Sequence, residues 1–252
     1  MHWMLDTLAP MRWWQAAAWL LLINVGVFVL SLAAGEVLVR LFTDRRVAAP
    51  PDPLDRWEVI WATVCVVLNG GVAFAGWLLW RAGVIVVRRE TAAWRVALDV
   101  LILLVAMDFL MYVFHRLAHH RWVFRIVHST HHRYDKPRPL NLFVLNPFEV
   151  LGFGALWLAV IAAYPTTWAG MLIYLALNLA FGTLGHLGVE PFPKAVARLP
   201  LLRHLGSSTF HADHHQDRHV NFGFYTDVWD RLFGTATPRG RLRGYEPVPP
   251  PQ

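Results

Sequence analysis

Long apolar stretches make up much of the chain and alternate with short polar segments. A helix that crosses a bilayer without interruption needs roughly 17 to 25 mainly apolar residues. Three stretches reach that length, namely residues 16–38, 59–80 and 96–114. The first loosely resembles a secretion signal, but its apolar core is too long for one, so we expect it to remain as a membrane anchor.

Two shorter apolar stretches follow, residues 148–164 and 168–185. They are separated only by Pro165, Thr166 and Thr167, which predicts a tight connection between two helices. Because both stretches are short for a full span, we expect a hairpin that reaches only part of the way across the membrane. The hydrophobic pattern therefore predicts an all-α integral membrane helical bundle with three spans and one hairpin.

The composition also indicates a membrane protein. Hydrophobic residues make up 56% of the 252 positions and charged residues only 16%, which is too apolar for an ordinary soluble domain. The single cysteine, Cys65, has no partner in the chain, so a disulfide framework is excluded.

The formal net charge of +6 could suggest nucleic-acid binding, but the positions of the basic residues argue against such a partner. Many of them flank the third span or follow the hairpin, as is typical of cytoplasmic segments beside anionic lipid headgroups. These residues are Arg116, Arg121, Arg125, Arg133, Lys136, Arg138, Lys194, Arg198, Arg203, Arg218 and Arg231. Four arginines, Arg81, Arg88, Arg89 and Arg95, depart from the pattern, because three spans place them on the opposite side.

Eleven of the thirteen histidines lie between His115 and His215, in clusters at the ends of apolar stretches. His115 and His119 form an H-x-x-x-H pattern at the exit of the third span. Helical spacing of four places both rings on one face, where one helix can offer two metal ligands. A solvated surface would be served equally well by arginine or lysine, so these clusters indicate a metal site in a cap beside the membrane.

Two H-x-x-H-H clusters follow, and His186 stands between them at the end of the hairpin. The clusters are His128, His131 and His132, and then His211, His214 and His215. If each cluster is helical, the spacings of three and four bring its first histidine beside the two later ones. Nine clustered histidines exceed what a single tetrahedral zinc uses, so two metal ions fit better. Imidazole suits iron, zinc, copper and nickel alike, so ligand type leaves the metal open.

Asp108 lies two helical turns before His115, near the same stripe of the helix. A carboxylate inside a membrane span needs a partner. We expect Asp108 to accept a hydrogen bond from the free ring N–H of a ligand histidine. Pairing with a nearby arginine is the alternative.

Several motifs resemble those of the fatty acid hydroxylase and sterol desaturase superfamily. Residues 108–116, which read D-F-L-M-Y-V-F-H-R, resemble its opening motif together with His119, and the two H-x-x-H-H clusters resemble its later motifs. Asn221-Phe222-Gly223 and residues 229–235, W-D-R-L-F-G-T, resemble the stretch that follows its last histidine box. The resemblance covers about residues 96–235, more than half of the chain.

The resemblance implies a membrane-bound oxidoreductase with two iron ions under a cytoplasmic cap, which uses dioxygen to hydroxylate or desaturate a C–H position. The implied substrate is a lipid from the bilayer, whether sterol-like, sphingoid or fatty acyl. The electrons would come from a separate redox protein, cytochrome b5-like or ferredoxin-like. The implied domains are an N-terminal membrane region (1–95), a catalytic domain (96–238) and a proline-rich tail (239–252).

The same resemblance implies the ligand set. The nine ligands would be His115, His119, His128, His131, His132, His186, His211, His214 and His215, with His204 as a further candidate. Asn221 is a catalytic candidate, with a helix cap as the structural alternative. Many relatives carry histidine before the proline of Asn146-Pro147-Phe148-Glu149, so asparagine here suggests a different substrate or reactivity.

Three other classes of protein remain as alternatives. A fatty acyl desaturase also has histidine boxes, but residues 221–235 favour the sterol desaturase side. A histidine-rich metal-binding protein or transporter without oxygenase activity should have ligands along a path through the spans. A bis-histidine haem protein needs histidines that face each other within the spans, and the first two spans contain none.

Overall fold

The computed structural model describes residues 3–193, 195–196 and 199–237. The predicted proline-rich tail and two of the basic residues, Lys194 and Arg198, lie outside them. The described part is mainly helical, as predicted. Its helices are α1 (Trp3–Leu8), α2 (Trp13–Leu41), α3 (Arg56–Arg81), α4 (Ala93–Ala118), α5 (Phe124–Val127), α6 (Pro147–Ala163), α7 (Trp168–Gly185), α8 (Ser208–Gln216) and α9 (Val228–Leu232).

Four of the described helices, α2, α3, α4 and α7, are long and apolar enough to cross a membrane. The second half of the expected hairpin, α7, is therefore itself a candidate span by length and composition. The 18 residues of α7 extend about 27 Å at 1.5 Å per residue, close to the thickness of the hydrocarbon layer. Its partner α6 is apolar and has 17 residues.

A short parallel pairing marks one end of the bundle, which we call the distal end. Strand β1 (Val87–Arg88), in the α3–α4 connection, pairs with β2 (Thr166–Thr167), in the α6–α7 connection. Asp99 in α4 adds to this junction, because it accepts hydrogen bonds of 2.7 Å from Tyr164 Oη and from the Thr167 amide. The four arginines that depart from the charge pattern belong to the α3–α4 region near this junction.

The opposite end, which we call the histidine end, is where α2, α4 and α7 finish and where α3 and α6 begin. An antiparallel bridge between Arg46 and Val189 ties the segment after α2 to the segment after α7. Nδ2 of Asn141 donates a 3.0 Å bond to Glu58 Oε1, which ties the loop before α6 to the first turn of α3. All of the connections that carry the clustered histidines meet at this end.

The core between α4, α6 and α7 positions the helices that lead to the histidine end. Leu103, Met107 and Met111 from α4 are buried with Ile161 of α6 and Tyr174 of α7. Successive turns of α4 thus each contribute an apolar side chain to the interior, as expected for a helix with one buried stripe.

Candidate metal centre

The nine predicted ligands come from five separate places at the histidine end. His115 lies in the last turn of α4, and His119 immediately follows this helix. His186 immediately follows α7, and the third cluster lies in α8. In the second cluster, His128 immediately follows α5, and His131 and His132 lie in a 3₁₀ turn at His131–Arg133.

The structure gathers the nine rings into two compact groups. The five-histidine group consists of His115, His119, His128, His132 and His214. The four-histidine group consists of His131, His186, His211 and His215. Within each group one ring nitrogen from every histidine lies within 4.8 Å of the others, which is a spacing that ligands around one metal ion adopt.

The Nε2 atoms face one another inside each group. His115 Nε2 lies 3.0 Å from His128 Nε2, and His132 Nε2 lies 3.1 Å from the Nε2 atoms of both His119 and His214. In the four-histidine group, His211 Nε2 lies 3.1 Å from the Nε2 atoms of both His186 and His215. The inner surface of each group is therefore made of ring nitrogens.

Neighbouring histidines in the sequence belong to different groups. His131 and His132 separate in this way, as do His214 and His215. The two groups nevertheless adjoin, because the ring centroids of His132 and His215 are 4.7 Å apart. The two H-x-x-H-H clusters thus each supply both groups.

The second cluster does not lie in one continuous α-helix, so the helical spacing considered for it from the sequence does not apply. Helix α5 ends at Val127, one residue before His128. The Ser129 hydroxyl donates a 2.9 Å bond to the Arg125 carbonyl, and the Ser129 amide bonds to Phe124 O at 2.8 Å instead of continuing the helical pattern. A serine that competes for backbone acceptors in this way disfavours continuation of a helix.

Main-chain carbonyls fix the tautomer of three rings. Nδ1 of His115 lies 2.8 Å from Phe222 O, and Nδ1 of His214 lies 2.7 Å from Val220 O. In the other group, Nδ1 of His186 lies 2.7 Å from Gly182 O. A carbonyl oxygen only accepts, so these Nδ1 atoms carry the proton and the Nε2 atoms of the neutral rings hold bare lone pairs.

This arrangement of ring nitrogens suits metal ions. His115 and His214 direct bare lone pairs into the same five-histidine group, and lone pairs that converge in this way repel unless a cation lies among them. Burial lowers the pKa of His119 to about 2 and that of His132 to about 3, with neighbouring positive groups as smaller causes. The rings are therefore neutral at pH 7, as metal ligation requires, and the donor set fits two imidazole-bound metal ions.

Glu149 was missed as a contributor by the sequence reasoning. Its Oε1 lies 2.6 Å from His128 Nδ1, and both side chains are buried. This is the carboxylate contact to a ligand ring that we expected from Asp108. Its only sequence signal was the position of a carboxylate in the first turn of an apolar helix. Asn146, three residues earlier, caps this helix by accepting a hydrogen bond from the Phe148 amide.

The prediction that Asp108 bonds to a ligand histidine is wrong. Asp108 accepts from the amides of Tyr225 and Thr226, from Thr226 Oγ1 and from Trp229 Nε1 at 2.6 to 3.2 Å. Two helical turns separate it from His115 by about 10 Å along the axis, and the segment after Asn221 covers that face of α4. The alternative partner, an arginine, is also not among these contacts.

Two further candidates lie outside both groups. His204 is held by Asp227, whose Oδ1 lies 2.7 Å from its Nδ1, and it accepts from Arg203 at Nε2, so it does not act as a tenth member. The Asn221 side chain bonds to main-chain atoms of Phe210 and Thr237, so it caps none of the described helices and bonds to none of the nine rings.

Two cavities reach the histidines from different sides. One, of about 520 Å³, lies beside His119 and is lined by apolar side chains of α4, among them Phe109, Val113 and Leu117. The other, of about 460 Å³, touches one histidine of each group, His132 and His215, and its remaining lining is mostly polar.

Comparison with known proteins gives consistent matches. Residues 100–235 match the family model described as fatty acid hydroxylase. The chain is 30% identical over 233 residues to cholesterol 25-hydroxylase-like protein 2 of Danio rerio, which covers 83% of this chain and 81% of that protein. It is 28% identical over 156 residues to methylsterol monooxygenase 2-2 of Arabidopsis thaliana, covering 60% of this chain and 57% of that one.

A further relative is very-long-chain aldehyde decarbonylase GL1-6 of Oryza sativa subsp. indica, which is 31% identical over 139 residues. That match covers 51% of this chain and 21% of the relative. No solved structure gives a significant match.

Proposed function

The chain belongs to the fatty acid hydroxylase and sterol desaturase superfamily and is a lipid-modifying oxidoreductase of the membrane, and from this premise we propose that it is a non-haem di-iron enzyme that uses dioxygen to hydroxylate or desaturate a lipid. Two iron ions held by the histidines would supply the activation of dioxygen that an unactivated C–H bond requires. The chain supplies the ligands and their orientation.

The convergence of nine neutral rings in two adjoining groups carries the proposal. His115, His119, His128, His132 and His214 would hold one ion, and His131, His186, His211 and His215 the other. Imidazole accepts several metals, and family membership favours iron among them. All nine rings lie at one end of the bundle, whereas a transporter would need ligands along a path through the spans.

The chain's own residues orient the ligands. Carbonyl oxygens hold the Nδ1 protons of His115, His186 and His214, and Glu149 contacts Nδ1 of His128. Such contacts fix the direction of the coordinating Nε2 atom and raise its basicity. The rings are thus held in place before a metal ion binds.

The cavity beside His119 offers the lipid an entrance from the bilayer. Phe109 and Leu117 lie on the lipid-facing side of α4 and are 37% and 59% exposed. An apolar chain that enters here would contact Phe109, Val113 and Leu117 on its way to His119, while polar side chains such as Arg116 line the rest of the cavity.

The relatives favour a sterol-like substrate, because a match that covers 83% of this chain is to a cholesterol 25-hydroxylase-like protein. Sphingoid and fatty acyl lipids are the other members of the proposed substrate class. The histidine end would face the cytoplasm, where basic segments adjoin anionic headgroups and where a cytochrome b5-like or ferredoxin-like protein would deliver electrons.

Lipid profiling tests the proposed activity. Cells that produce the protein are compared with cells that produce the His131→Ala variant at the same membrane level. We expect a lipid that gains one oxygen atom or loses two hydrogen atoms with the wild-type chain and is absent with the variant. Identical lipid profiles in the two cultures would reject the proposed function.

A further inference from the structure

Asn221 has an unusual backbone conformation and lies between two residues whose carbonyl groups contact predicted ligands. It is the one non-glycine residue with positive φ in the described part of the chain, at 56°, and its side chain is buried. Non-glycine residues adopt this left-handed region at a cost, which asparagine bears better than most. The surrounding structure must therefore hold Asn221 in this conformation.

The carbonyl groups on the two sides of Asn221 serve two ligands of the same group. Val220 O accepts from Nδ1 of His214 at 2.7 Å, and Phe222 O accepts from Nδ1 of His115 at 2.8 Å. These two rings come from α8 and α4, which are far apart in the sequence. A single backbone turn thus sets the direction of two of the five rings that would surround one metal ion.

The Asn221 side chain holds this turn in place. Its Nδ2 donates a 3.1 Å bond to the carbonyl of Phe210, the residue before His211, and its Oδ1 accepts a 2.9 Å bond from the Thr237 amide. The Asn221 amide itself donates a 2.9 Å bond to Thr235 O. The turn is therefore anchored to α8 on one side and to the segment after α9 on the other.

We infer that Asn221 is a positioning residue, whose left-handed backbone directs the carbonyls of its two neighbours onto His214 and His115 and so fixes the five-histidine group for metal binding. The inference rests on the proposed function for the presence of a metal ion. It replaces the catalytic role expected for Asn221 from the sequence, because its side chain bonds to main-chain atoms and not to a ring of the centre.

Metal titration tests this role without any measurement of lipid oxidation. The full chain is purified in detergent, stripped of metal and titrated with Co²⁺, whose visible absorption reports the coordination of the ion. A background with His131→Ala, His186→Ala and His211→Ala leaves only His215 in the four-histidine group, so that the titration follows the five-histidine group. In this background, Asn221→Ala should weaken Co²⁺ binding by about tenfold or more, as is typical when contacts that orient ligands are lost.

Two further variants, Asn221→Gly and Asn221→Asp, test whether the backbone conformation is the determinant. Glycine adopts the left-handed conformation freely but lacks the side-chain bonds, and aspartate tolerates the conformation and keeps an oxygen for the Thr237 amide. Both should therefore bind Co²⁺ more tightly than Asn221→Ala and with the absorption spectrum of the parent. Their behaviour decides the question even if Asn221→Ala fails to fold. A loss in the glycine variant as large as in the alanine variant would show that the backbone conformation is not the determinant.

Asn141→Ala is the matched control, since Asn141 is a buried asparagine that is bonded at both ends of its amide. It should destabilise the chain but leave Co²⁺ binding unchanged. If wild-type protein binds Co²⁺ and Asn221→Ala binds it equally well, this inference alone is overturned. If the wild-type chain binds no Co²⁺, the proposed metal centre is overturned with it.

Discussion

Oε1 of Glu149 lies 2.6 Å from Nδ1 of His128, and each of the two side chains is only 2% exposed. This contact joins α6 to a predicted ligand of the five-histidine group. The other anchored rings of that group, His115 and His214, contact neutral carbonyl oxygens instead. Glu149 is therefore the one side-chain carboxylate bonded to a ring of the two groups in the described structure.

Glu149→Gln should weaken metal binding by the five-histidine group by about tenfold or more, because an amide oxygen is a poorer acceptor for the His128 N–H than a carboxylate. Competition between the metal-loaded chain and a chelator measures the change. Glu58→Gln is the control, since Glu58 is equally buried but contacts Asn141 and Arg138 rather than a histidine. Equal metal retention by both variants would remove Glu149 from the centre.

Asp108→Asn should reduce the stability of the chain and leave its metal content unchanged. Asp108 accepts four hydrogen bonds that hold residues 225–229 against α4, and an amide in its place leaves at least one donor without an acceptor. The free energy of unfolding should fall by about 1–3 kcal/mol. Thermal unfolding in detergent and metal analysis are measured together. A variant that unfolds like the wild type but loses metal would restore the role expected from the sequence.

Val113→Trp should reduce lipid oxidation by about tenfold or more with unchanged metal content, because an indole ring would fill part of the cavity beside His119. Val105→Trp provides a matched control. It introduces the same ring on the same helix, at a position that is 53% exposed and outside the cavity lining. Product formation is measured by mass spectrometry of lipid extracts. Equal activity of the two variants would place the lipid entrance elsewhere.

The sequence identified all nine histidines that the structure gathers. H-x-x-x-H and H-x-x-H-H are local patterns that supply eight of them, and the ninth, His186, entered the ligand set through the family resemblance. The division into two groups was not predictable from those patterns. His131 and His132 are neighbours in the chain but join different groups, and only the packing of the 3₁₀ turn against α4, α7 and α8 decides which ring points where.

The atoms that orient the histidine rings were the hardest part of the site to predict. Gly182, Val220 and Phe222 act through main-chain carbonyls, which every residue type possesses, so their side chains give no signal. Asp108 lies on the expected stripe of α4, but its carboxylate accepts hydrogen bonds from the amides of Tyr225 and Thr226, more than a hundred residues later in the sequence. Long-range contacts of this kind are set by the tertiary fold.

The most direct test is the iron content of the purified full-length chain and of two variants that alter adjacent histidines of α8. His214 belongs to the five-histidine group and His215 to the four-histidine group. We predict about two irons per wild-type chain and a lower iron content in each of His214→Ala and His215→Ala, since each variant removes a ligand from a different site. A single iron in the wild-type chain, or two irons retained by both variants, would contradict the assignment of one metal ion to each group.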